Sequence, residues 1–416
     1  MISPAPPVGS AGEAGPLAGL RALELGGIGP VPFCGMLLAD LGVEVVKVER
    51  VSAATADQND RDRYDVLNRG RTSIALDLKS PEGRDIALSL AETCDMVFEG
   101  FRPGVAERLG VGPAECMERN ERLVYGRMTG WGQDGPLADR AGHDINYIGL
   151  VGALDAIGTA GGPPVPPLNL LGDFGGGAMF LALGLVSGVW ESARSGRGQI
   201  VDASIVDGTS ALLGMLMGMR SAGDWPGGRG ENMLDGGAHF YGVYECADGL
   251  LLSVGAIEPQ FYARLLAGLG LQDAPHSDRL GRDEWPVLRK RVADAFLAKG
   301  REEWLTVFAE LDACVAPVLS LQEAAAHPHN QARGYITSLD GVMQPGPAPR
   351  FDRTGGLGAR TVPAPGEHTD AVLKSLKLDV ARIGALRAAG VVGRAIVGGS
   401  PREGVRGCPR RVWGRC

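Results

Sequence analysis

The sequence predicts an α/β fold in which an open, mostly parallel sheet forms a large domain and a smaller α+β domain follows it. Strand-like apolar runs alternate with helical segments up to about residue 205, as in chains that build parallel sheets. The composition then changes at the glycine-rich stretch 221–240. In addition, 416 residues exceed what one compact core usually serves, so two domains are expected.

The first elements form a strand–helix–strand unit. The apolar run "LRALEL" (20–25) precedes a glycine- and proline-rich turn and an apolar helix pattern, and "VEVVKVE" (43–49) is a second strand. This spacing is typical of a βαβ unit with parallel strands. A helix is predicted over 80–95, with Ser80 as its N-cap and Pro81 as its first residue. Further strands are predicted over 72–78, 96–100 and 122–130.

The second half of the chain is organised differently. Strand-like segments flank Asp248-Gly249, a dipeptide typical of hairpin turns. Helical patterns follow over 258–269, 283–298 and 301–311. We therefore predict a large domain over 17–224, a small domain over 225–320, and a return to the large domain over 321–390.

The two termini differ from the rest of the chain. Residues 1–16 lack the basic and apolar regions of a secretory signal and are predicted to be a disordered leader. Residues 391–416 contain six arginines and one acidic residue and are predicted to be a disordered tail. A basic interaction segment is the alternative for this tail.

Charge and cysteine usage restrict the class of protein. A net charge of −8 argues against a general nucleic-acid binder. The seven cysteines are odd in number, widely spaced and without a C-x-x-C pair, which favours reduced thiols in a cytoplasmic protein. The uncharged run 174–190 has three glycines at its start and is predicted to be a buried core helix, not a membrane span.

Common cofactor motifs are not found. After the first strand, Gly27 and Gly29 begin a dinucleotide-binding pattern, but Pro30 and Pro32 follow and the third glycine is missing. Nicotinamide binding is therefore not expected. A metal site is not expected either, because "AHPHN" (326–330) has no further cysteine or histidine nearby.

Three stretches combine ionisable side chains with glycine-rich backbone. They contain His143 in "GHDINY", Asp173 in "LNLLGDFGGGAMF" and Glu258 in "GAIEPQFY". Taken singly, each has a structural interpretation, His143 as a loop residue and the two carboxylates as helix caps. Taken together, they indicate acid–base chemistry, because histidine and an ionised carboxylate both exchange protons near neutral pH.

The glycine run that follows Asp173 adds to this interpretation. Glycine destabilises a helix, and Gly175, Gly176 and Gly177 are consecutive. We therefore expect something to approach this backbone closely. The helix N-terminus is expected to keep Asp173 ionised, and Glu258 is a candidate to orient the imidazole of His143.

These motifs, with "NMLDGGAHFY" and the opening "GLRALELGGIGPVPFCGMLLADLGVEVVKVER", closely resemble the α-methylacyl-CoA racemases of the class III CoA-transferase superfamily. The resemblance extends from about residue 17 to about residue 390. It implies a Rossmann-like large domain without nicotinamide, and a homodimer of intertwined chains. It further implies an acyl-CoA thioester substrate in lipid (fatty acid) metabolism, and an active site between the large domain of one chain and the small domain of the other.

The resemblance also assigns roles to individual residues. His143 and Asp173 match the two catalytic bases of the racemases, and Glu258 matches the residue that supports the histidine from the partner chain. The CoA-binding positions implied by the family fall on Arg50, on Ala75, Leu76, Asp77, Leu78 and Lys79, and on Gly142, Asp144, Ile145, Asn146 and Tyr147 of the histidine motif. Arg102 and Arg108 are further candidates for phosphate contacts, because arginine suits phosphate groups.

The expected reaction is a two-base proton transfer at C2 of a 2-methylacyl-CoA, through an enolate. Gly142 is expected to leave room for the thioester, and the Asp144 N–H to stabilise its oxygen. The chemistry needs no metal or redox cofactor, and neither nucleic acid nor a membrane is expected as a partner. Methionines in 215–219 are a possible acyl surface or part of the core. A CoA-transferase with Asp173 as nucleophile and a non-catalytic acyl-CoA binder are the alternatives.

Overall fold

The protein is described from a computed structural model over residues 15–55, 62–274 and 281–393. Its strands are β1 Arg21–Leu25, β2 Glu44–Glu49, β3 Thr72–Leu76, β4 Met96–Glu99, β5 Val124–Thr129, β6 Gln199–Ser204, β7 Tyr241–Glu245, β8 Leu251–Gly255, β9 Val315–Pro317, β10 Ile336–Leu339, β11 Val342–Pro345 and β12 Val392–Gly393.

Most of the helices are short. They are α1 Pro30–Asp40, α2 Val51–Thr55, α3 Pro81–Glu92, α4 Val105–Leu109, α5 Pro113–Arg119, α6 Asp144–Leu150, α7 Ala153–Ala156, α8 Met179–Ser195, α9 Ile205–Leu212, α10 Gly214–Ala222, α11 Pro259–Leu269, α12 Trp285–Phe296, α13 Arg301–Phe308, α14 Leu321–Ala326, α15 Pro328–Arg333, α16 Thr369–Ser375 and α17 Val380–Ala388. A π-helix, Leu170–Ala178, leads directly into α8, and short 3₁₀ turns cover Asp62–Tyr64, Val66–Asn68 and Arg282–Glu284.

The large sheet has seven strands in the order β12-β3-β2-β1-β4-β5-β6. All neighbouring strands are parallel except β12, which runs antiparallel to β3. The order reverses between β1 and β4, and in open parallel sheets ligands bind beyond the carboxyl ends of the strands at such a point. The predicted α/β class is confirmed. Because the strand order reverses here, a ligand site is expected at this edge.

Local sequence explains where the first helices begin. Ser80 accepts a hydrogen bond from the Gly83 N–H and Pro81 is the first residue of α3, as predicted. Pro30 is likewise the first residue of α1, and the preceding Gly29 has a positive φ of 64°. The prolines that interrupt the dinucleotide motif thus fix the start of α1.

A second, antiparallel sheet has the order β7-β8-β9. Gly249 adopts φ 76° in the turn between β7 and β8, which confirms the predicted hairpin. Helices α11, α12 and α13 cover this sheet, and Phe240, Tyr262 and Phe296 lie in a core of their own. Arg69 forms a buried ion pair with Asp40, and further hydrogen bonds of Arg69 reach Gln344 and Pro345 of β11. The predicted domain boundaries themselves stay predictions.

The π-helix and α8 form one continuous helix from Leu170 to Ser195 that is long and apolar enough to cross a membrane, a test that core helices of soluble proteins also pass. The sequence predicted a buried helix here, and this is only partly correct. Leu181 and Leu185 are fully buried, whereas Leu183 and Trp190 are 64% and 68% exposed in the single chain. One face of the helix therefore packs on the sheet and the other carries exposed apolar side chains.

The inner boundaries of the two predicted disordered segments, the leader and the tail, need correction. Residues 391–393 are buried, and β12 pairs with Leu76 and Ala75, so they belong to the sheet and not to a tail. Gly15 is buried against the Leu41 backbone, so residues 15 and 16 belong to the fold as well. The rest of the predicted leader, residues 1–14, and of the predicted tail, residues 394–416, lies outside the described residues.

Candidate active site

His143 and Asp173 lie at the starts of two helices that meet near the carboxyl edge of the large sheet. His143 is the N-cap of α6, and its side chain is exposed to solvent. The His143 backbone N–H donates to Oδ1 of Asn146 over 3.1 Å, so the side chain of Asn146 fixes the first turn of α6. The imidazole is thereby presented at the surface from a fixed backbone.

Asp173 lies in the first turn of the π-helix, on the side that faces α6. Burial raises the pKa of Asp173 to about 6, and the charge of Asp144 adds to this, while Nδ2 of Asn169 and the charge of His143 act in the opposite direction. The sequence suggested that the helix N-terminus would keep this carboxyl ionised. Burial has the larger effect, yet Asp173 is still mostly ionised at pH 7.

Asp144 connects the two helix starts. Its side chain is buried, and its Oδ2 accepts the backbone N–H of Asp173 over 2.7 Å. The N–H of Gly172 interacts with the same carboxylate. Asp144 is also the first residue of α6, and its own N–H has no acceptor within the described parts of the chain. This N–H remains available to an oxygen of a ligand, as the sequence suggested.

The glycine run after Asp173 is approached by the protein itself. A Cβ added at Gly176 would lie 2.7 Å from the Thr209 nitrogen and 3.1 Å from the Ile205 oxygen, both in α9. A Cβ at Gly177 would lie 3.0 Å from Cγ1 of Ile205. The predicted close approach is real, but its cause is the crossing of α9 over the π-helix.

The space beside Gly142 is also filled by the protein. A Cβ at Gly142 would lie 2.7 Å from the ring of Tyr147 and 2.9 Å from the ring of Trp131. The hydroxyl of Tyr147 donates to the Gly142 carbonyl, and the two rings pack edge to face. The room that the sequence interpretation gave to a thioester is therefore occupied by Tyr147 and Trp131.

Glu258 lies just after β8 of the second sheet, at the start of α11. It is exposed, it is the N-cap of α11, and Pro259 is the first residue of that helix. Within the described residues of the single chain, no hydrogen bond or ion pair joins Glu258 to His143. His143 begins α6 beside the large sheet, whereas Glu258 begins α11, which packs in the core of the small sheet.

The predicted CoA-binding residues fall into two groups. Exposed side chains belong to Arg50, Lys79, Arg102, Arg108, Ile145 and Asn146, while Asp77, Leu78 and Tyr147 are half-buried. Ala75 and Leu76 are 0% and 2% exposed beneath β12, so they present no side-chain surface to a ligand in this structure. Arg102 is close enough to Tyr147 to lower its pKa, against the larger effect of burial, which places this arginine beside the α6 motif.

Sequence reasoning missed several residues around Asp173. A Cβ at Gly29 would lie 2.9 Å from Oδ2 of Asp173, so the turn after β1 borders the carboxylate. Phe33 and Phe174 stack with ring centroids 4.4 Å apart, and Asn169 donates to Asp173. Gly29, in the turn between β1 and α1, was the available signal, but the sequence presents it first as part of a nicotinamide motif.

The arrangement has the groups needed for proton transfer next to a bound carbonyl. An exposed imidazole and a carboxylate with a pKa of about 6 are close enough to interact electrostatically, and a free helix N–H lies between them in sequence. Within the described residues, no cluster of three or more histidine, cysteine, aspartate or glutamate side chains is placed to hold a metal ion.

Comparison with known proteins gives consistent relatives. The family model of CoA-transferase family III matches residues 17–369. Alpha-methylacyl-CoA racemase of Mus musculus is 45% identical over 360 residues, and that of Homo sapiens is 43% identical over 362 residues; each alignment covers 86% of this chain and 92% of the relative. A CAIB/BAIF family protein from Brucella suis has the same fold, with a TM-score of 0.74, 24% identity, and coverage of 88% of this chain and 100% of that chain.

Proposed function

The chain belongs to CoA-transferase family III, and we propose that it is a racemase that interconverts the (R) and (S) forms of 2-methylacyl-CoA thioesters. Two relatives named alpha-methylacyl-CoA racemase align with most of the chain at 45% and 43% identity. The observation that carries the proposal is the placement of His143 and Asp173 at adjoining helix starts, joined through Asp144.

In the proposed reaction, one base removes the proton from C2 and the other returns a proton to the opposite face. His143 acts as the base for one enantiomer and Asp173 for the other, with the roles exchanged in the reverse direction. The intermediate is an enolate, whose oxygen gains negative charge and needs a hydrogen-bond donor. The N–H of Asp144 supplies such a donor at the start of α6.

A pKa of about 6 suits Asp173 for this role. The carboxylate is mostly ionised at neutral pH, so it can accept a proton. Its pKa lies close to the ordinary pKa of histidine, about 6.5, so its protonated form can also return the proton. Burial is the main cause of the raised pKa. A carboxylate with an ordinary pKa near 4 would be a weaker base at this position.

A CoA-transferase that uses Asp173 as a nucleophile is the alternative within the same family. Such a reaction needs the carboxylate but not a second base. In this structure His143 is close enough to Asp173 to affect its pKa, and a free N–H follows it in the chain. This second proton-transfer group favours the racemase.

The test is exchange of the C2 proton with solvent. The protein is incubated with (R)- or (S)-2-methylacyl-CoA in D2O without an acceptor acid, and deuterium incorporation and configuration at C2 are measured. We expect both deuterium incorporation and inversion, and we expect inversion to be lost in His143→Ala and in Asp173→Ala. His329→Ala, which changes an exposed histidine of α15, is the matched control and should retain activity.

Two results would reject the proposal. Absence of C2 exchange in the native protein, with CoA transfer to an added carboxylic acid, would identify a transferase. Absence of both reactions together with tight acyl-CoA binding would identify a non-catalytic binder. Inversion that persists in both base variants would reject the assigned residues while leaving the activity in place.

We also propose that the protein acts as a homodimer in which Glu258 of one chain supports His143 of the other. The exposed apolar side chains of α8 and α10, among them Leu183, Trp190 and Met215, support an interface on this side of the large sheet. Because no hydrogen bond or ion pair joins Glu258 to His143 within the described residues, the proposal takes the supporting carboxylate from a second chain.

Complementation between inactive variants tests this arrangement. When Glu258→Ala and His143→Ala chains are co-expressed, a mixed dimer contains one site with both residues intact. Random assembly should restore about a quarter of the native activity. If Glu258 acts within its own chain, each site lacks one residue and no activity returns.

The proposal also includes CoA contacts, a reaction without a cofactor, and a cellular location. CoA carries several phosphate charges, and Arg50, Lys79, Arg102 and Arg108 supply exposed cations for them. The proposed proton transfer needs no metal or redox cofactor, since the substrate is neither oxidised nor reduced. We propose a cytoplasmic location, supported by the free thiols of Cys34, Cys94, Cys116, Cys246 and Cys314.

A further inference from the structure

We propose that the carboxylate side chain of Asp144 is a positioning residue that sets the separation of the two catalytic bases. This inference rests on the proposed two-base reaction and gives the side chain of Asp144 a role of its own, beside the hydrogen-bond donor role of its backbone N–H. The geometry is simple: Asp144 is peptide-bonded to His143, and its Oδ2 accepts the N–H of Asp173 over 2.7 Å.

The contact joins two helices that are distant in sequence. α6 begins at Asp144 and the π-helix begins at Leu170. The hydrogen bond therefore fixes the relative position of two helix starts that are separated in sequence. The carboxylate of Asp144 also interacts with the N–H of Gly172, so the first turn of the π-helix is held at two consecutive residues. A carboxylate that accepts backbone N–H groups at a helix start makes the stronger, charge-assisted kind of hydrogen bond.

The surroundings show that the position is built for a close fit. Asp144 is 8% exposed, and its second oxygen, Oδ1, is buried without a hydrogen-bond partner among the described residues. A Cβ at Gly172 would collide with Oδ2 of Asp144. Glycine at 172 therefore allows the carboxylate to reach the backbone, and the carboxylate fills the space that a side chain would take.

Loss of this link should affect the two halves of the reaction unequally. Removal of the C2 proton needs one base near C2, whereas inversion needs a second base on the opposite face at the same time. If the distance between the two bases changes, one base can still exchange the proton with solvent, but the return to the other face slows. Small misplacements of reacting groups are known to cost large factors in rate.

The main experiment measures exchange and inversion separately in D2O. We expect Asp144→Ala to lower the rate of inversion by about 10- to 100-fold, with KM nearly unchanged, while deuterium exchange with retention of configuration falls less. The ratio of exchange to inversion therefore rises. Asp144→Asn keeps one oxygen acceptor without the charge, so its loss should lie between that of Asp144→Ala and the native protein.

The matched control is Asp379→Ala. Asp379 caps α17 by accepting the N–H of Arg382 over the same 2.7 Å, and it lies far along the chain from the site. The Asp379→Ala substitution removes the same kind of hydrogen bond from a helix start, so it should lower stability without changing the ratio of exchange to inversion. A change of that ratio in the control would show that the effect is general destabilisation and would overturn the inference.

Two further measurements complete the test: the pH profile would not respond to a merely structural role, and amide exchange reports on the helix link itself. Asp173 is faced by Asn169, His143 and Asp144, with Tyr147 nearby, and Asp144 is the charge that disfavours its ionised form. In Asp144→Asn the acid limb of the pH profile of kcat/KM should therefore move to lower pH. Backbone amide exchange in residues 170–178 should become faster in Asp144→Ala and stay unchanged in Asp379→Ala.

The outcomes separate this inference from the proposed function. If native protein neither exchanges nor inverts C2, the racemase proposal fails, and amide exchange alone decides whether Asp144 holds the π-helix. If native protein is a racemase, equal loss of exchange and inversion in Asp144→Ala would overturn the positioning role. Unchanged amide exchange over 170–178 in that variant would overturn it as well.

Discussion

Replacement of Gly176 by alanine tests how the π-helix is built. Gly176 lies where α9 crosses the π-helix, and the atoms that face it belong largely to the backbone. An added Cβ would lie 2.7 Å from the Thr209 nitrogen and 3.1 Å from the Ile205 oxygen, and closer still to Oγ1 of Thr209. The helix crossing therefore has no space for a methyl group.

The expected magnitude follows from two opposing effects. Overpacking of a core typically costs about 1–3 kcal/mol, and backbone atoms give way less readily than side chains. Alanine recovers at most about 1 kcal/mol through its higher helix propensity. We therefore expect Gly176→Ala to lower the free energy of unfolding by about 2 kcal/mol.

Gly175 is the matched position for comparison. A Cβ there would lie 3.2 Å from the Leu170 oxygen and 3.5 Å from Cδ1 of Leu212, a tight but tolerable environment. Gly175→Ala should thus change the free energy of unfolding by less than about 1 kcal/mol. Urea unfolding of both variants and the native protein measures this difference.

The same pair of variants distinguishes the two explanations of the glycine run. If a ligand approached Gly176, the alanine variant would keep its stability and its KM would rise. Equal stability of Gly176→Ala and native protein would therefore refute the helix-crossing argument.

Three further predictions concern charge. Asp173 accepts a proton only when it is ionised, and its pKa is about 6. For the enantiomer that Asp173 deprotonates, kcat/KM should therefore fall about tenfold per pH unit below pH 6. A profile that stays flat down to pH 5 would contradict this. Burial and the nearby Arg289 lower the pKa of His239 from 6.5 to about 4, so between these values the unfolded chain binds more protons than the folded one. Urea unfolding at pH 7 and pH 4 should therefore show that the native protein loses about 3 kcal/mol more stability on acidification than His239→Gln does. Arg102→Ala should raise KM for the acyl-CoA about tenfold in steady-state assays, whereas Arg119→Ala, which breaks an exposed ion pair of α5, should leave KM unchanged.

Much of the large sheet was predictable because each element has a local signal. The ends of β1, β2 and β4 lie within one residue of the predicted runs, and Ser80 and Pro81 begin α3 as expected. β12 was not predicted, because two residues that pair with a distant strand leave no periodic pattern.

The candidate site was predictable in its residue types but less so in its geometry. Histidine and aspartate in glycine-rich stretches indicated proton transfer, and the structure places His143 near Asp173. The role of Gly142 was misjudged, and the close approach at Gly176 was expected without its neighbour, for the same physical reason. A glycine shows that something lies close to the backbone, but the neighbour, here Tyr147 or Thr209, comes from another segment of the chain. The burial that raises the pKa of Asp173 likewise depends on packing between segments.

β12 also determines what the rim of the large sheet presents to other molecules. Without Val392 and Gly393, β3 would be the outermost strand, and its unpaired N–H and C=O groups would offer a template to a strand of another molecule. A chain shortened to residue 390 would expose this rim, whereas one shortened to residue 393 would keep it covered. The tendency of a truncated protein to aggregate should therefore change within residues 391–393.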